Sequence, residues 1–439
     1  MTTNLLEYWE HYDNALEINH QELLNGLEYS YDFSKPRGAI PCYSIVVKNE
    51  QYHLNTSYCI GVDWLDEKSA IYIAPKLNSK NAKEGINLVE VDYIKMLFSS
   101  LKYLDSTKEI NDLFEIKWNK PEIEIKQTQD LLTPLLVIQY LSLVKTIVRK
   151  GLKKSYYKVE HNLNSRVKGK VLVGKTIKQN ILKNKQLYTY CNYDEFGVNG
   201  LENRLLKKAL VFIKRYLPNF DKFNHNDFTI DLFNYITPAF ENISEEVELN
   251  DIKHSKTNAF YKEYAEATRL AKLLLNRFGY NISNTEKSTI VTPPFWIDMS
   301  KLFELYVLGL LKEKFPKHDE VKFQFICKGH ELDYLLNSGN YKMVIDAKYK
   351  PQYKYSGINR DDFRQISGYA RLKKVYKVLD KNHNENIDCL IIYPDLDKIE
   401  NDFSNLTSTD KSIKKYAGFY KIGVRLPLIL SKNNIMKNE

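Results

Sequence analysis

The feature that most constrains this chain is residues 331–350, Glu-Leu-Asp-Tyr-Leu-Leu-Asn-Ser-Gly-Asn-Tyr-Lys-Met-Val-Ile-Asp-Ala-Lys-Tyr-Lys. It reads as two short strands joined at Asn337-Ser338-Gly339-Asn340, where Gly339 can take the positive φ of a tight hairpin. Side chains alternate along a strand, so Asp346 and Lys348 share one face. Pairing Asn337 with Asn340 sets Asp333 opposite Val344, on that same face and one diagonal step from Asp346. Three charges then gather in a segment otherwise apolar enough to be buried. Burying charge is costly unless it is paired or binds a metal. A divalent cation held by Asp333 and Asp346 beside Lys348 meets that requirement; a surface hairpin with ordinary charges avoids it. A one-residue slip would carry Asp333 to the other face.

The remaining chain is long enough for that hairpin to sit in a real core: 439 residues, 43% hydrophobic, suffice for two or three domains. The longest apolar run, residues 134–148, is interrupted by Gln139 and Lys145, so no membrane span is expected. The first residues carry neither a basic nor an apolar leader segment, and Cys42, Cys59, Cys191, Cys327 and Cys389 form no Cys-x-x-Cys pair. Reduced thiols in a cytoplasmic protein fit this pattern better than a disulfide framework or zinc site. A net charge of +9 permits a polyanionic partner, though a lysine-rich solvated surface is the commoner explanation.

Along the chain, residues 43–47, 70–77 and 121–126 read as strands, and residues 89–103, 130–151, 203–214 and 257–278 as helices. The polar segment 280–294, closed by Pro293-Pro294, is the expected domain boundary. This gives an N-terminal α+β domain over 1–125, assigned to partner docking, a mostly helical middle over 126–285, and an α/β domain over 286–439. In the last, helix 299–315, strand 320–327, the hairpin, helix 361–379, strand 387–393 and strand 418–426 follow in the order αβββαβ with one strand more. That order is a mixed sheet flanked by helices.

Two features join the hairpin. Glu304 lies within Leu302-Phe-Glu-Leu-Tyr-Val-Leu-Gly-Leu-Leu311, an almost wholly apolar helix where a carboxylate is either on a thin polar edge or held for a purpose. Gln365 and Tyr369 stand i, i+4 on one face of the 361–379 helix, beside Arg364 and Arg371. Together, Glu304, Asp333, Asp346-Ala-Lys348 and Gln365-Ile-Ser-Gly-Tyr369 resemble the PD-(D/E)XK nuclease superfamily in its RecB-like branch, with Leu332 rather than Pro before Asp333. Phe295-Trp-Ile-Asp-Met-Ser-Lys-Leu-Phe-Glu-Leu-Tyr-Val307 and Val344-Ile-Asp-Ala-Lys-Tyr-Lys350 look like the McrC family, nuclease subunits of McrBC-type modification-dependent restriction systems. Ala74-Pro-Lys76, Arg166-Val-Lys-Gly-Lys170 and the segments opening at Cys191 and Glu202 are also similar to it; the first 70 residues add little.

The resemblance implies a Mg²⁺- or Mn²⁺-dependent endonuclease cutting double-stranded DNA. Asp333, Asp346 and Glu304 would be the metal ligands, Lys348 would assist the attacking water, and Gln365 and Tyr369 would orient the site. It also implies docking on a McrB-like AAA+ GTPase hexamer that binds the GTP, and dimerisation of the complex through the nuclease domain. A stand-alone RecB-like nuclease acting on DNA ends or branched DNA, and a DNA-binding or assembly module with a vestigial site, are the rival readings. Gly169-Lys-Val-Leu-Val-Gly-Lys-Thr176 satisfies the phosphate-loop pattern G-x-x-x-x-G-K-[ST]. Its apolar interior, Val171-Leu-Val173, fits a strand better than a phosphate cradle. Arg166 beside it could act in trans on a partner's nucleotide; a solvated turn explains the same residue.

Overall fold

The computed structural model describes residues 4–21, 24, 28–35, 38–78, 88–101, 112–216, 227–248, 261–282, 289–327, 329–355 and 357–429. The chain forms two compact units, one of Met1–Leu132 with Ser288–Glu439, the other of Thr133–Lys287. The three-part division expected from sequence differs from this, because the segment after the boundary supplies the middle of an N-terminal sheet. In the first unit, β1 (Asn4–Trp9), β2 (Cys59–Trp64), β3 (Ser69–Ala74), β4 (Phe114–Ile116) and β5 (Phe295–Asp298) form one sheet in the order β1-β3-β2-β5-β4. β5 is buried throughout and pairs antiparallel with β2 on one side and β4 on the other. Gly61 of β2 makes this possible: a Cβ there would stand 2.1 Å from the Phe295 carbonyl oxygen.

β5 leads directly into α1 (Met299–Lys314). Asp298 caps this helix, its side chain accepting from the Lys301 N–H at 3.0 Å, and Lys312 and Lys314 complement the dipole in the last turn. Nine of its residues are buried, so the helix is a core element with a narrow polar edge. β6 (Val321–Cys327), β7 (His330–Ser338) and β8 (Tyr341–Ala347) follow as an antiparallel meander. α2 (Arg360–Tyr369) and α3 (Lys373–Leu379) then cross over to β9 (Asp388–Pro394), parallel to β8, and β10 (Phe419–Val424) adds a second parallel pair. The sheet order is β6-β7-β8-β9-β10.

The order of elements is the one expected from sequence, except that helix 361–379 is broken. Ile366 and Ala370 of α2 and Val375 and Leu379 of α3 all pack into one core with Leu335, Val344 and Ile391 of the sheet. At about 100° per residue, an unbroken helix would turn Val375 roughly 180° from Ile366. The interruption at 370–372 restores the phase. Three further boundaries shift. Residues 88–91 form a strand before the helix Tyr93–Leu101, and Thr289–Thr292 is a strand inside the expected boundary loop. The helix Lys262–Ile282 runs through Gly279 instead of ending there.

The second unit is less helical than expected. Beside Leu132–Lys150, Leu201–Tyr216 and Lys262–Ile282 it holds a three-stranded sheet whose strands Ser155–Asn164 and Tyr188–Gly197 pair over ten residues each. Leu132–Lys150 is long and apolar enough to cross a membrane by composition, with mean hydropathy 1.3, yet 72% of the stretch is buried inside the protein. That burial is how a core helix passes the same test.

Candidate active site on the hairpin sheet

The hairpin pairs Ser338 with Tyr341, leaving Gly339 (φ 41°) and Asn340 as a two-residue turn, rather than pairing Asn337 with Asn340. The ladder continues through Tyr334↔Ile345, so the next pair sets Asp333 directly opposite Asp346 instead of Val344. The shift moves both strands together by one residue each and so preserves the parity that puts both carboxylates on one face.

Asp333 accepts a hydrogen bond from the Ala347 N–H at 2.8 Å. Burial, followed by the carboxylates of Glu304 and Asp346, raises its pKa well above the usual range against the pull of Lys348 and the Ala347 N–H. Asp346 is 2% exposed, and burial raises its pKa too, although Lys348 opposes the rise. Lys348 Nζ stands 3.0 Å from Asp346 Oδ2 as an ion pair, the one partner of that buried oxygen among the described residues. Burial lowers the Lys348 pKa and the facing carboxylates of Asp346 and Asp333 more than reverse it, so the ammonium is protonated at neutral pH.

The crossover helix completes the cluster. Lys348 Nζ donates to Gln365 Oε1 at 2.9 Å, and Gln365 Nε2 donates to the Tyr369 hydroxyl at 2.9 Å. The i, i+4 pair read from sequence is therefore one relay running back to Lys348. Glu304 is on the side of α1 that faces this cluster electrostatically, but its Oε2 accepts from Lys301 Nζ at 2.6 Å, and its backbone carbonyl accepts from the Tyr334 hydroxyl. Sequence reasoning missed Asp362, whose Oδ1 lies 4.0 Å from Lys348 Nζ while Oδ2 accepts from Lys350 Nζ at 2.6 Å and from the Tyr353 hydroxyl. In sequence, Asp361-Asp362 reads only as dipole compensation in a first helical turn.

Among the described residues, no three His, Cys, Asp or Glu side chains already converge as a metal cage. The donor set nevertheless fits a hard cation. It offers oxygen only, the buried Asp346 Oδ2 is met among the described residues by the Lys348 ammonium alone, and Mg²⁺ needs just one or two carboxylates besides water and substrate oxygens.

The other candidates fall elsewhere. Arg166 is exposed on the loop between strands Ser155–Asn164 and Lys170–Val171 of the second unit. In the phosphate-loop-like string only Lys170 and Val171 are strand, and Val173–Gln179 is already helix, so the expected strand through Val173 is cut short. Gly174 and Lys175 lie inside that helix, and Lys175 is tied to Glu160, which leaves no phosphate cradle. All five cysteines are free and buried, as expected of reduced thiols.

Residues 54–394 match the family described as McrBC 5-methylcytosine restriction system component. The chain belongs to this family. Among solved structures it is similar to two McrBC assemblies of Thermococcus gammatolerans. One is a refined half-complex from a tetradecameric assembly of McrB AAA+ hexamers with bound McrC, at 16% identity and TM-score 0.34, covering 89% of this chain and 85% of that one. The other is the cryo-EM McrBC complex, at 16% identity and TM-score 0.28, covering 72% and 90%. No curated protein matches the chain.

Proposed function

We propose that this chain is the McrC-type endonuclease subunit of a GTP-driven, modification-dependent restriction complex, hydrolysing phosphodiesters of double-stranded DNA at the hairpin cluster. The observation that carries this reading is the unbroken line of contacts Asp346–Lys348–Gln365–Tyr369, with Asp333 opposite Asp346. A sheet that spends a buried carboxylate, a half-buried one and a half-buried ammonium on one spot loses stability there, and catalysis is the reason such costs are retained.

Asp333 and Asp346, with Glu304 once it leaves Lys301, would hold Mg²⁺ or Mn²⁺. Such an ion, when bound, neutralises charge on a phosphate and makes a water acidic enough to attack near neutral pH. Lys348, protonated and locked by Asp346 and Gln365, donates to the oxygen on which negative charge grows. Gln365 fixes that ammonium with its carbonyl and the Tyr369 hydroxyl with its amide. The hydroxyl proton of Tyr369 is then free to point at a strand phosphate. In the same reading the GTP belongs to a McrB-like AAA+ partner in the cytoplasm, and exposed Arg166 reaches that partner's nucleotide.

The test reconstitutes the full chain with a McrB-like AAA+ GTPase, GTP, Mg²⁺ and methylated plasmid DNA. Asp346→Ala should abolish cleavage while partner GTPase stimulation persists; intact cleavage would end the nuclease reading. Cutting by the chain with Mg²⁺ alone would replace the partner-dependent enzyme with an autonomous one.

A further inference from the structure

The most costly polar group outside the site just described is Glu10. It lies one residue beyond β1, is 1% exposed, and its Oε2 has no hydrogen-bond partner among the described residues. Its Oε1 accepts from the Tyr349 hydroxyl at 3.1 Å, itself 2% exposed. Tyr349 is the residue after Lys348. Around it the chain makes a tight three-residue turn, the Lys350 N–H donating to the Lys348 carbonyl at 2.7 Å, while the Lys348 N–H still donates to Ile392 of β9 at 2.8 Å. Lys348 thus projects into the site from the last rung of the sheet, and Lys350 is thrown forward to Asp362. The Tyr349 ring points the other way, against Phe303 at 5.6 Å between centroids and His11 at 5.9 Å. Phe303 is the neighbour of Glu304 on α1.

The backbone that carries this carboxyl is tied to the N-terminal five-stranded sheet. The Glu10 N–H donates to Ala74 of β3, and His11, in the left-handed region at φ 57°, donates its N–H to the Ser57 carbonyl at 2.9 Å. A left-handed histidine persists only where its surroundings fix it. With one donor and no countercharge among the described residues, burial raises the pKa of the carboxyl well above the usual range, against the pull of the Tyr349 hydroxyl, and a leucine or methionine would fill the space without the desolvation cost. What an apolar residue could not do is hold a tyrosine hydroxyl.

We infer that Glu10 is a positioning residue of the nuclease site: by anchoring Tyr349 to the N-terminal sheet it fixes the turn that aims Lys348. This inference rests on the nuclease reading above. It makes Glu10 and His11 the back wall of the active site rather than part of a separate docking domain.

The test is a double-mutant cycle on the full chain reconstituted with its AAA+ partner, read as single-turnover cleavage of plasmid DNA, KM for DNA, and thermal melting. Tyr349→Phe and Glu10→Ala should each lower the cleavage rate about fivefold to tenfold, the worth of one buried neutral hydrogen bond, with KM changed less than about twofold. Combining them should cost no more than either alone. Glu10→Gln, which keeps a carbonyl acceptor, should restore the rate to within about twofold. Tyr349→Phe keeps the ring and removes only the hydroxyl, so it carries the test should Glu10→Ala fail to fold. Additive losses, a failure of Glu10→Gln to rescue, or melting shifts without a rate change in Tyr349→Phe would each overturn the inference. Lys348→Ala is the control. Lost cleavage there with unchanged Tyr349→Phe activity defeats this inference alone, whereas intact cleavage in Lys348→Ala defeats the nuclease reading beneath it.

Discussion

Asp333→Asn should make the metal-free protein more stable while destroying its activity. The Asp333 carboxylate keeps one strong local bond, from the Ala347 N–H at 2.8 Å, and an asparagine carbonyl accepts that bond equally well. What the substitution removes is charge, in a place where burial and then Glu304 and Asp346 already oppose it. Because the folded-state pKa is raised, the native protein binds more protons than the unfolded chain above about pH 4. Its stability therefore falls as pH rises from there through the folded pKa. At pH 7 the asparagine variant escapes that loss. Relief of a buried like-charge contact, partly offset by the lost attraction to Lys348, is worth about 1–2 kcal/mol. In a unit of this size that is a rise of roughly 2–6 °C in melting temperature. Melting would be followed in EDTA at pH 5 and pH 7, then with Mg²⁺ or Mn²⁺. The variant should gain more at pH 7 than at pH 5, and only the wild type should be stabilised by the ion. Equal stabilisation of both proteins by Mn²⁺, or a variant less stable than wild type in EDTA, would refute the electrostatic account of this site.

Lys348→Met should abolish cleavage and also cost stability, about 3 kcal/mol or more, because it leaves Asp346 buried without a countercharge; chemical denaturation measures the second effect. Tyr369→Phe should lower cleavage by about tenfold or less with little change in stability, since among the described residues its hydroxyl meets only the Gln365 amide, and single-turnover rates will show it. Arg166→Ala should leave DNA binding at the hairpin cluster untouched and reduce stimulation of the partner GTPase, read as GTP turnover of the reconstituted complex; unchanged stimulation would remove Arg166 from any role in trans.

The site was legible in sequence because its signals are local. Asp346-Ala-Lys348 needs only the two-residue period of a strand, and Gln365 with Tyr369 needs only the helical repeat. Asp362 was not legible, since its meeting with Lys348 depends on where the crossover helix lands on the sheet. Glu10 was beyond reach for the same reason: its partner Tyr349 is 339 positions away along the chain. Nor did any local pattern announce that Phe295–Asp298 would pair with Cys59–Trp64, because an all-buried strand carries no alternation to mark its neighbours.

By itself, the sequence determined that Asp333, Asp346 and Lys348 share a face. The hairpin turned out to pair Ser338 with Tyr341, not Asn337 with Asn340, and the conclusion survived because the period of a strand is two and the pairing moved by two. Tertiary structure alone decided what that face meets. Which helix supplies the clamp on Lys348, where α2 must break to keep Ile366 and Val375 on one core, and which N-terminal carboxyl braces the strand end are all outcomes of packing. Contacts between distant elements follow from the shapes that fill a core, and no short-range periodicity encodes them.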